Sequence, residues 1–347
     1  MPIGLIVVKA VGNRCNLQCR YCYVATDAEQ IFMSKWILEQ TIKAIVTLDP
    51  LPIFFWGGGE PLLIGRRGFK KALDTQAKYC DGRTFINSLQ TNGILIDQAW
   101  VDFMKQHNFQ VGVSWDGFVD TSRITIDGRL TKDEVWKNIE LCLEENLNLG
   151  IITVATRENI NQLPEIAEFL YSKGIKNLLF KLYIGQELNL SLDSLEYAGI
   201  MCRLLDVWMK VGDNDWILEP IRSFIAVMSS NATNIACELV GGCGNFLTIE
   251  HNGGIACCDF ISQRFVFGNV CDSSIEEIIN GPAYAQFLSK TKIKPSKCES
   301  CSWQFVCCGG GCLHYRKFNS DTGHWGKDVL CEAKKKFFDY YKQRYFA

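Results

Sequence analysis

Through the first two thirds of the chain, short apolar β-rich runs alternate with helical patterns. The strand-like runs are residues 5–9, 53–56, 84–89, 110–114, 149–155 and 178–182, and most end on Gly, Asn or Asp, the residues of turns. Between them a period near 3.6 predicts helices over 34–48, 66–79, 97–107 and 163–173. A further helix opens on the capping-box pattern Thr131-x-x-Glu134 and carries Val135, Ile139, Cys142, Leu143 and Leu147 on one face. Six strand–helix units in succession imply parallel strands joined by right-handed crossovers, in an α/β sheet either doubly wound or curled as a barrel. Both forms place ligands at the carboxyl ends of the strands. The polar motifs fall there: a three-cysteine loop after the first strand, Gly57-Gly58-Gly59-Glu60-Pro61 after the second, Gln90-Thr91-Asn92-Gly93 after the third and Ser114-Trp115-Asp116-Gly117 after the fourth.

After about Ser191 the pattern changes. A helix over 195–209 leads into a cysteine-rich region with little regular periodicity, which places a domain boundary near residue 225. The two predicted domains are residues 1–225 and 226–347. The 347 residues, 48% hydrophobic, suffice for two such cores. With 36 basic and 38 acidic residues the formal charge is −2, so no broad cationic field for nucleic acid is expected. The apolar stretches are strand-sized, and neither a membrane span nor a secretory signal is expected.

The 17 cysteines do change the picture, because eleven of them lie between Cys237 and Cys331. An odd number in a chain this long does not suit a secreted disulfide framework, and thiolates bound to metal in a reducing cytoplasm fit better. Cys80, Cys142, Cys202 and Cys271 read as small core residues, and the four histidines show no ligand pattern.

The first cluster is Cys15-x3-Cys19-x2-Cys22, with Tyr21 before its last cysteine. A zinc site normally wants four protein ligands. A 4Fe–4S cluster also usually takes four thiolates, so three would leave one iron open to an outside ligand. A zinc clip and a pair of redox thiols are the other readings of the spacing. At these residues the chain resembles the radical S-adenosylmethionine superfamily. The resemblance implies a partial (β/α)6 TIM-type barrel. It also implies that the amino and carboxylate groups of S-adenosylmethionine chelate the open iron, and that reductive cleavage yields a 5′-deoxyadenosyl radical.

Gly58, Gly59, Glu60 and Pro61 are similar to the family's GGEP motif, whose backbone and glutamate meet the methionyl ammonium. Asn92, Ser114, Asp116 and Arg123 are further matches. A hydroxyl and a carboxylate suit a ribose and a guanidinium suits a carboxylate; capping of strand ends is the competing role for each. Tyr21 and Tyr23 are placed to flank the adenine, or in the case of Tyr23 to pack in the core.

The second region reads Cys237-x5-Cys243-x14-Cys258, then Cys298-x2-Cys301-x5-Cys307-x4-Cys312-x18-Cys331. Eight thiolates suffice for two four-ligand clusters, and a pair of zinc sites with C-x2-C knuckles is the alternative. Its local sequence, including Cys258-Asp259-Phe260 and Trp303-Gln-Phe-Val-Cys307, resembles the SPASM extension of radical S-adenosylmethionine enzymes, and within it the anaerobic sulfatase-maturating branch and related peptide maturases. The resemblance implies one auxiliary 4Fe–4S cluster on Cys237, Cys243, Cys258 and Cys312 and another on Cys298, Cys301, Cys307 and Cys331, three clusters in all. Cys257 competes with Cys258 as a ligand, and Cys308 with Cys307.

The same resemblance makes Asp259 the general base, a carboxylate whose pKa burial beside a cluster would raise. It implies a peptide or protein substrate, oxidised from a hydrogen abstraction at Cβ, and a reductant such as flavodoxin or ferredoxin. The chain departs from the sulfatase maturases at Gly57, where they carry Gln, at Tyr23-Val24, where they carry Phe-Tyr, and after Ser114-Trp115-Asp116-Gly117, where their His-Asp is missing. These departures favour a ribosomally made natural-product peptide over a sulfatase cysteine or serine. A small-molecule SPASM dehydrogenase and a non-enzymatic iron–sulfur or zinc protein are the remaining alternatives. No separate leader-binding domain is expected ahead of Leu5.

Overall fold

The computed structural model describes residues 3–24, 32–185, 187–229, 237–307, 311–319 and 324–345. All six expected strands form: β1 (Leu5–Val8), β2 (Ile53–Trp56), β3 (Ile86–Thr91), β4 (Gln110–Ser114), β5 (Leu149–Ala155) and β6 (Asn177–Leu182). The helices between them are α1 (Lys35–Leu48), α2 (Gly65–Cys80), α3 (Gln98–Gln106), α4 (Lys132–Glu144) and α5 (Leu163–Ser172), followed by α6 (Ser194–Val211). A short strand β7 (Ile217–Glu219) and helix α7 (Ile221–Met228) come next, so residue 225 lies inside a helix.

The chain folds as two compact units that interleave in sequence. One comprises Met1–Ser114, Ser122–Leu149 and Gly244–Leu288, and the other Trp115–Thr121, Gly150–Cys243 and Ser289–Ala347. Gly244–Leu288 thus packs with the amino-terminal strands rather than with the residues that follow 225. The reason is β8 (Phe246–Ile249), an apolar run that pairs in parallel with β1, Leu5 opposite Phe246 and Val8 opposite Ile249. Two antiparallel strands, β9 (Gly254–Ala256) and β10 (Val266–Asn269), continue from it. The cysteine-rich region therefore contains regular structure that its sequence pattern conceals.

On the other side of β1 the first unit runs β2, β3 and β4, all parallel. Parallel strands covered on both faces read as apolar runs, and Val8, Phe54, Trp56, Leu89 and Val113 are buried accordingly. Helix α1 begins on Ser34, whose side chain accepts from Ile37 N (3.2 Å), and buries Leu38, Ile42, Ile45 and Val46. Buried polar groups need partners. Asn87 of β3 has them, accepting from Trp56 Nε1 (2.8 Å) and Gln76 Nε2 (2.9 Å) and donating to Gln76 Oε1 (3.0 Å). At α4 the expected capping box does not form. Thr131 has helical ψ, and its hydroxyl donates to the carbonyl of Arg123 (3.1 Å) instead of accepting from the first turn.

In the second unit β5, β6 and β7 are parallel. Helix α6 begins with a complete capping box, Asp193 and Glu196. The C-terminal helix (Cys331–Tyr345) packs on α6, and Tyr340 donates to Asp206 (2.7 Å). Phe224 meets Phe337 and Phe338 with ring centroids 4.7 and 5.6 Å apart. Among the described residues no helix is long and apolar enough to cross a membrane.

Candidate active site

The loop that carries Cys15, Cys19 and Cys22 leaves β1 at the carboxyl edge of the first unit and docks on two neighbours. Its backbone meets the Arg123 segment, Gln18 N to Ile124 O (2.8 Å) and Arg20 N to Ser122 O (2.9 Å). The glycine loop after β2 closes on its stem, Gly59 N to Gly12 O (3.0 Å) and Glu60 N to Arg14 O (2.8 Å). That approach requires Gly59: a Cβ there would stand 1.9 Å from the carbonyl oxygen of Arg14.

Around the cysteines the donors are those a thiolate needs. Leu17 N points at Cys15 Sγ (3.4 Å), and Asn92 Nδ2 reaches both Cys15 Sγ (3.6 Å) and Asn16 Oδ1 (2.7 Å). Burial pushes the Cys15 thiol up, opposed by the Leu17 and Asn92 donors. A cationic metal centre reverses such a shift and keeps the sulfur ionised. The donor set of three thiols on one short loop therefore fits an iron–sulfur cluster. Arg123 joins the same assembly, donating to Asn92 O (3.0 Å) and Tyr21 OH (3.3 Å). Tyr21, Gly58, Gly59, Asn92 and Ser114 keep accessible surface. Ser114 Oγ accepts from Gln90 Nε2 (2.9 Å).

Two residues expected at the cofactor also make structural contacts. Glu60 has no accessible surface, and its carboxylate accepts from Leu62 N (2.9 Å), Thr91 Oγ1 (2.8 Å) and Asn92 N (2.7 Å). It clamps the loop after β2 to the end of β3. Burial pushes its pKa up to about 7 in spite of these donors. Asp116 is likewise buried. Its Oδ1 accepts from Val154 N (2.7 Å) and its carbonyl from Asn159 Nδ2 (2.9 Å), so it ties strand ends together.

Asp259 follows Cys258 in the first unit and begins a 3-10 turn. Its Oδ2 accepts the Tyr23 hydroxyl in a short hydrogen bond, and Tyr23 packs on Phe260 with centroids 4.4 Å apart. Burial of that hydroxyl and the Asp259 charge push Tyr23 well above the usual phenol range, although 46% of the residue is exposed. The other oxygen, Oδ1, lies 3.1 Å from Lys9 Nζ. Lys9 is 2% exposed and also donates to Asn13 Oδ1 (2.6 Å) and Glu250 Oε1 (3.3 Å). The base expected from sequence thus faces a cation and a phenol. Lys9 went unnoticed in the sequence, and its signal was a charged residue closing the apolar run Leu5-Ile-Val-Val8 at a strand's carboxyl end.

In the second unit Cys298, Cys301, Cys307 and Cys331 line one small cavity of about 20 Å³, together with Trp303, Phe338, Asp328 and Lys334. Cys331 begins the C-terminal helix, where the dipole favours a thiolate. Burial and the neighbouring Cys307 and Cys301 raise the Cys298 thiol, so the sulfurs lie within electrostatic reach of one another. The set fits a four-thiolate cluster. Cys308 lies outside the described residues. Cys237 begins a short helix, Cys243 Sγ takes a hydrogen bond from the backbone of Leu313, and Cys312 caps the turn Leu313–Tyr315, all in the second unit. Cys258 keeps accessible surface, whereas Cys257 is 1% exposed and its thiol faces the carbonyl of Ile261 (3.5 Å), which favours Cys258 as the ligand.

Residues 10–170 match the radical SAM superfamily and residues 241–302 match SPASM, an iron–sulfur cluster-binding domain. The chain is a radical SAM protein with a SPASM domain, and membership implies S-adenosylmethionine and 4Fe–4S clusters as cofactors. Among curated relatives it is similar to the serine-type anaerobic sulfatase-maturating enzyme of Bacteroides thetaiotaomicron (27% identical, 96% of this chain and 88% of the relative). It is also similar to the cysteine-type enzyme of Clostridium perfringens strain 13 (27%, 98% and 96%). Among solved structures, native anSMEcpe with bound AdoMet and Cp18Cys peptide superimposes with a TM-score of 0.89 at 25% identity, over 98% of this chain and 97% of that one. Streptococcus suis SuiB bound to precursor peptide SuiA shares the fold (TM-score 0.69, 18% identity, 95% and 76%). The α/β fold with a SPASM domain expected from the sequence is the one these likenesses show.

Proposed function

We propose that the chain is a peptide-modifying oxidoreductase that removes two hydrogens from a side chain of a ribosomally made peptide, beginning at Cβ. The observation that carries this reading is Asp259, held by Tyr23 beside the Cys22 loop. Peptides bound to two of the similar structures support it. Cys15, Cys19 and Cys22 would hold the first cluster, with Tyr21, Gly58, Gly59, Asn92 and Ser114 at S-adenosylmethionine and Glu60, Asp116 and Arg123 fixing the frame. The bound cofactor supplies hydrogen abstraction from carbon. Asp259 would take the proton that leaves the substrate radical; Cys237, Cys243, Cys258 and Cys312 would hold one auxiliary cluster and Cys298, Cys301, Cys307 and Cys331 the other, which would supply an acceptor for the electron released. Residues 1–225 would serve the radical step and 226–347 the oxidation. A flavodoxin- or ferredoxin-type reductant in the cytoplasm would start each cycle.

A second reading, formylglycine formation on a sulfatase cysteine or serine, is favoured by the curated relatives. Against it stands Gly57, where the sulfatase-maturating motif that the sequence resembles has Gln. A Cβ at this position would lie 3.1 Å from Val7 Cγ1 and 3.4 Å from Phe55 Cε1, so a side chain here needs those neighbours to give by a few tenths of an ångström. Mass spectrometry after coexpression decides between the readings. Candidate precursor peptides from the gene neighbourhood should lose two hydrogens and gain a crosslink or similar modification. Formylglycine on a sulfatase peptide alone would establish the second reading, and turnover of small alcohols alone would refute both.

A further inference from the structure

Lys9 joins the cluster loop, the glycine loop and the Asp259 segment. Its ammonium donates to Asn13 Oδ1 (2.6 Å) and Glu250 Oε1 (3.3 Å), and it forms an ion pair with Asp259 Oδ1, 3.1 Å away, a buried oxygen that accepts no hydrogen bond. Asn13 lies two residues before Cys15. Glu250 and Asp259 belong to the segments after β8 and β9. The stem of Lys9 runs under Gly58, where a Cβ would stand 2.9 Å from Lys9 Cγ and 2.8 Å from Gly12 O, and where φ is +100°. The second glycine of the cofactor loop therefore leaves room for this lysine as well as for a ligand. A buried ammonium is tolerated only where acceptors and counter-charges stand close to it. A side chain placed for stability alone would be met more simply by an apolar residue of the same length.

We infer that Lys9 is the positioning residue of the proton-transfer step: it fixes Asp259 Oδ1 against β1, so that Oδ2, shared with Tyr23, is the oxygen presented to the substrate. This rests on the reading of Asp259 as the base. The ion pair at Oδ1 and the Tyr23 hydrogen bond at Oδ2 together restrict rotation of the carboxylate about its χ2 axis. Loss of the ammonium frees that rotation. It leaves hydrogen abstraction intact but misdirects the proton acceptor, so deoxyadenosine forms without the matching product. Misplacement of a catalytic group by about 1 Å can cost roughly 100-fold in rate.

The test is a double-mutant cycle on the full chain with its clusters, using the peptide that the wild type modifies on coexpression. Lys9→Met keeps the stem against Gly58, and Asp259→Asn removes the base. Variants are compared at equal iron and sulfide content, and product is expressed per deoxyadenosine formed. Lys9→Met should lower that ratio at least tenfold, Asp259→Asn at least as far, and the double variant no further than Asp259→Asn alone, because groups that act as a unit are not additive. Lys9→Arg, which keeps a cation, should recover part of the ratio. A lysine that only supports the fold would lower deoxyadenosine and product together and leave the ratio unchanged; that result, or additive losses in the double variant, overturns the proposal. Wild-type ratios in Asp259→Asn would overturn the base reading itself, and the role of Lys9 with it.

Discussion

Glu60 and Asp259 show how far residue type alone carries. Both are carboxylates in recognisable motifs, yet one is enclosed by backbone donors and the other held between a lysine and a tyrosine. Asp259→Asn is expected to keep the clusters and deoxyadenosine formation while losing most peptide product, as read by chromatography and mass spectrometry of the same reaction. Glu60 makes a different prediction. Its folded pKa is raised to about 7 from an ordinary 4.5, so the folded state binds the proton more tightly than the unfolded chain. The stability this adds is complete below pH 4.5 and is lost as the pH rises through 7, a change of about 3 kcal/mol. Denaturant midpoints between pH 5.5 and 8 should fall more steeply in the wild type than in Glu60→Gln. Parallel slopes would show that Glu60 ionises without cost. The sequence showed that a carboxylate follows the glycines; it did not show that the backbone of Leu62 and Asn92 would consume it, because those partners are set by how two loops meet.

The elements were the most legible level. Strand ends follow the switch from apolar runs to turn residues, and four polar motifs land after β1 to β4 because parallel strands put their carboxyl ends on one edge. What was missed depends on long-range pairing. Phe246–Ile249 is too short to announce itself, and its partner β1 lies more than two hundred residues earlier in the chain. Thr131 has a capping-box sequence, but the carbonyl of Arg123 competes for its hydroxyl and wins. Loop contacts carry a sharp prediction of their own. Gly59→Ala, which drives a methyl group into the backbone of Arg14, should abolish deoxyadenosine formation or assembly of the first cluster. Gly57→Ala meets only side-chain carbons and should keep most of both. Iron analysis and a deoxyadenosine assay on the two purified variants check the contrast, and equal behaviour would contradict the close docking of the two loops.

At the scale of the whole molecule, the resemblance carried by the cysteine motifs implied three cluster sites, and the structure adds a cavity lined by the four thiols proposed for one of them. Replacing Cys298 and Cys301 together by Ala should remove one cluster's iron and sulfide and leave the rest. Cys257→Ala should remove none, and Cys258→Ala should disturb the other auxiliary site. The identity of the peptide was not legible, because specificity lies in surfaces that no motif records. The central claim, hydrogen abstraction from a peptide side chain followed by its oxidation, is tested most directly by isotope transfer. The modified peptide is prepared with deuterium at Cβ of the target residue and turned over once with the reduced, cluster-replete chain. Deuterium is then sought in deoxyadenosine by mass spectrometry. One deuterium per deoxyadenosine, with a product lacking two hydrogens of the substrate, is the expected result. Unlabelled deoxyadenosine beside an oxidised peptide would contradict abstraction at that carbon, and no deoxyadenosine at all would contradict the radical step.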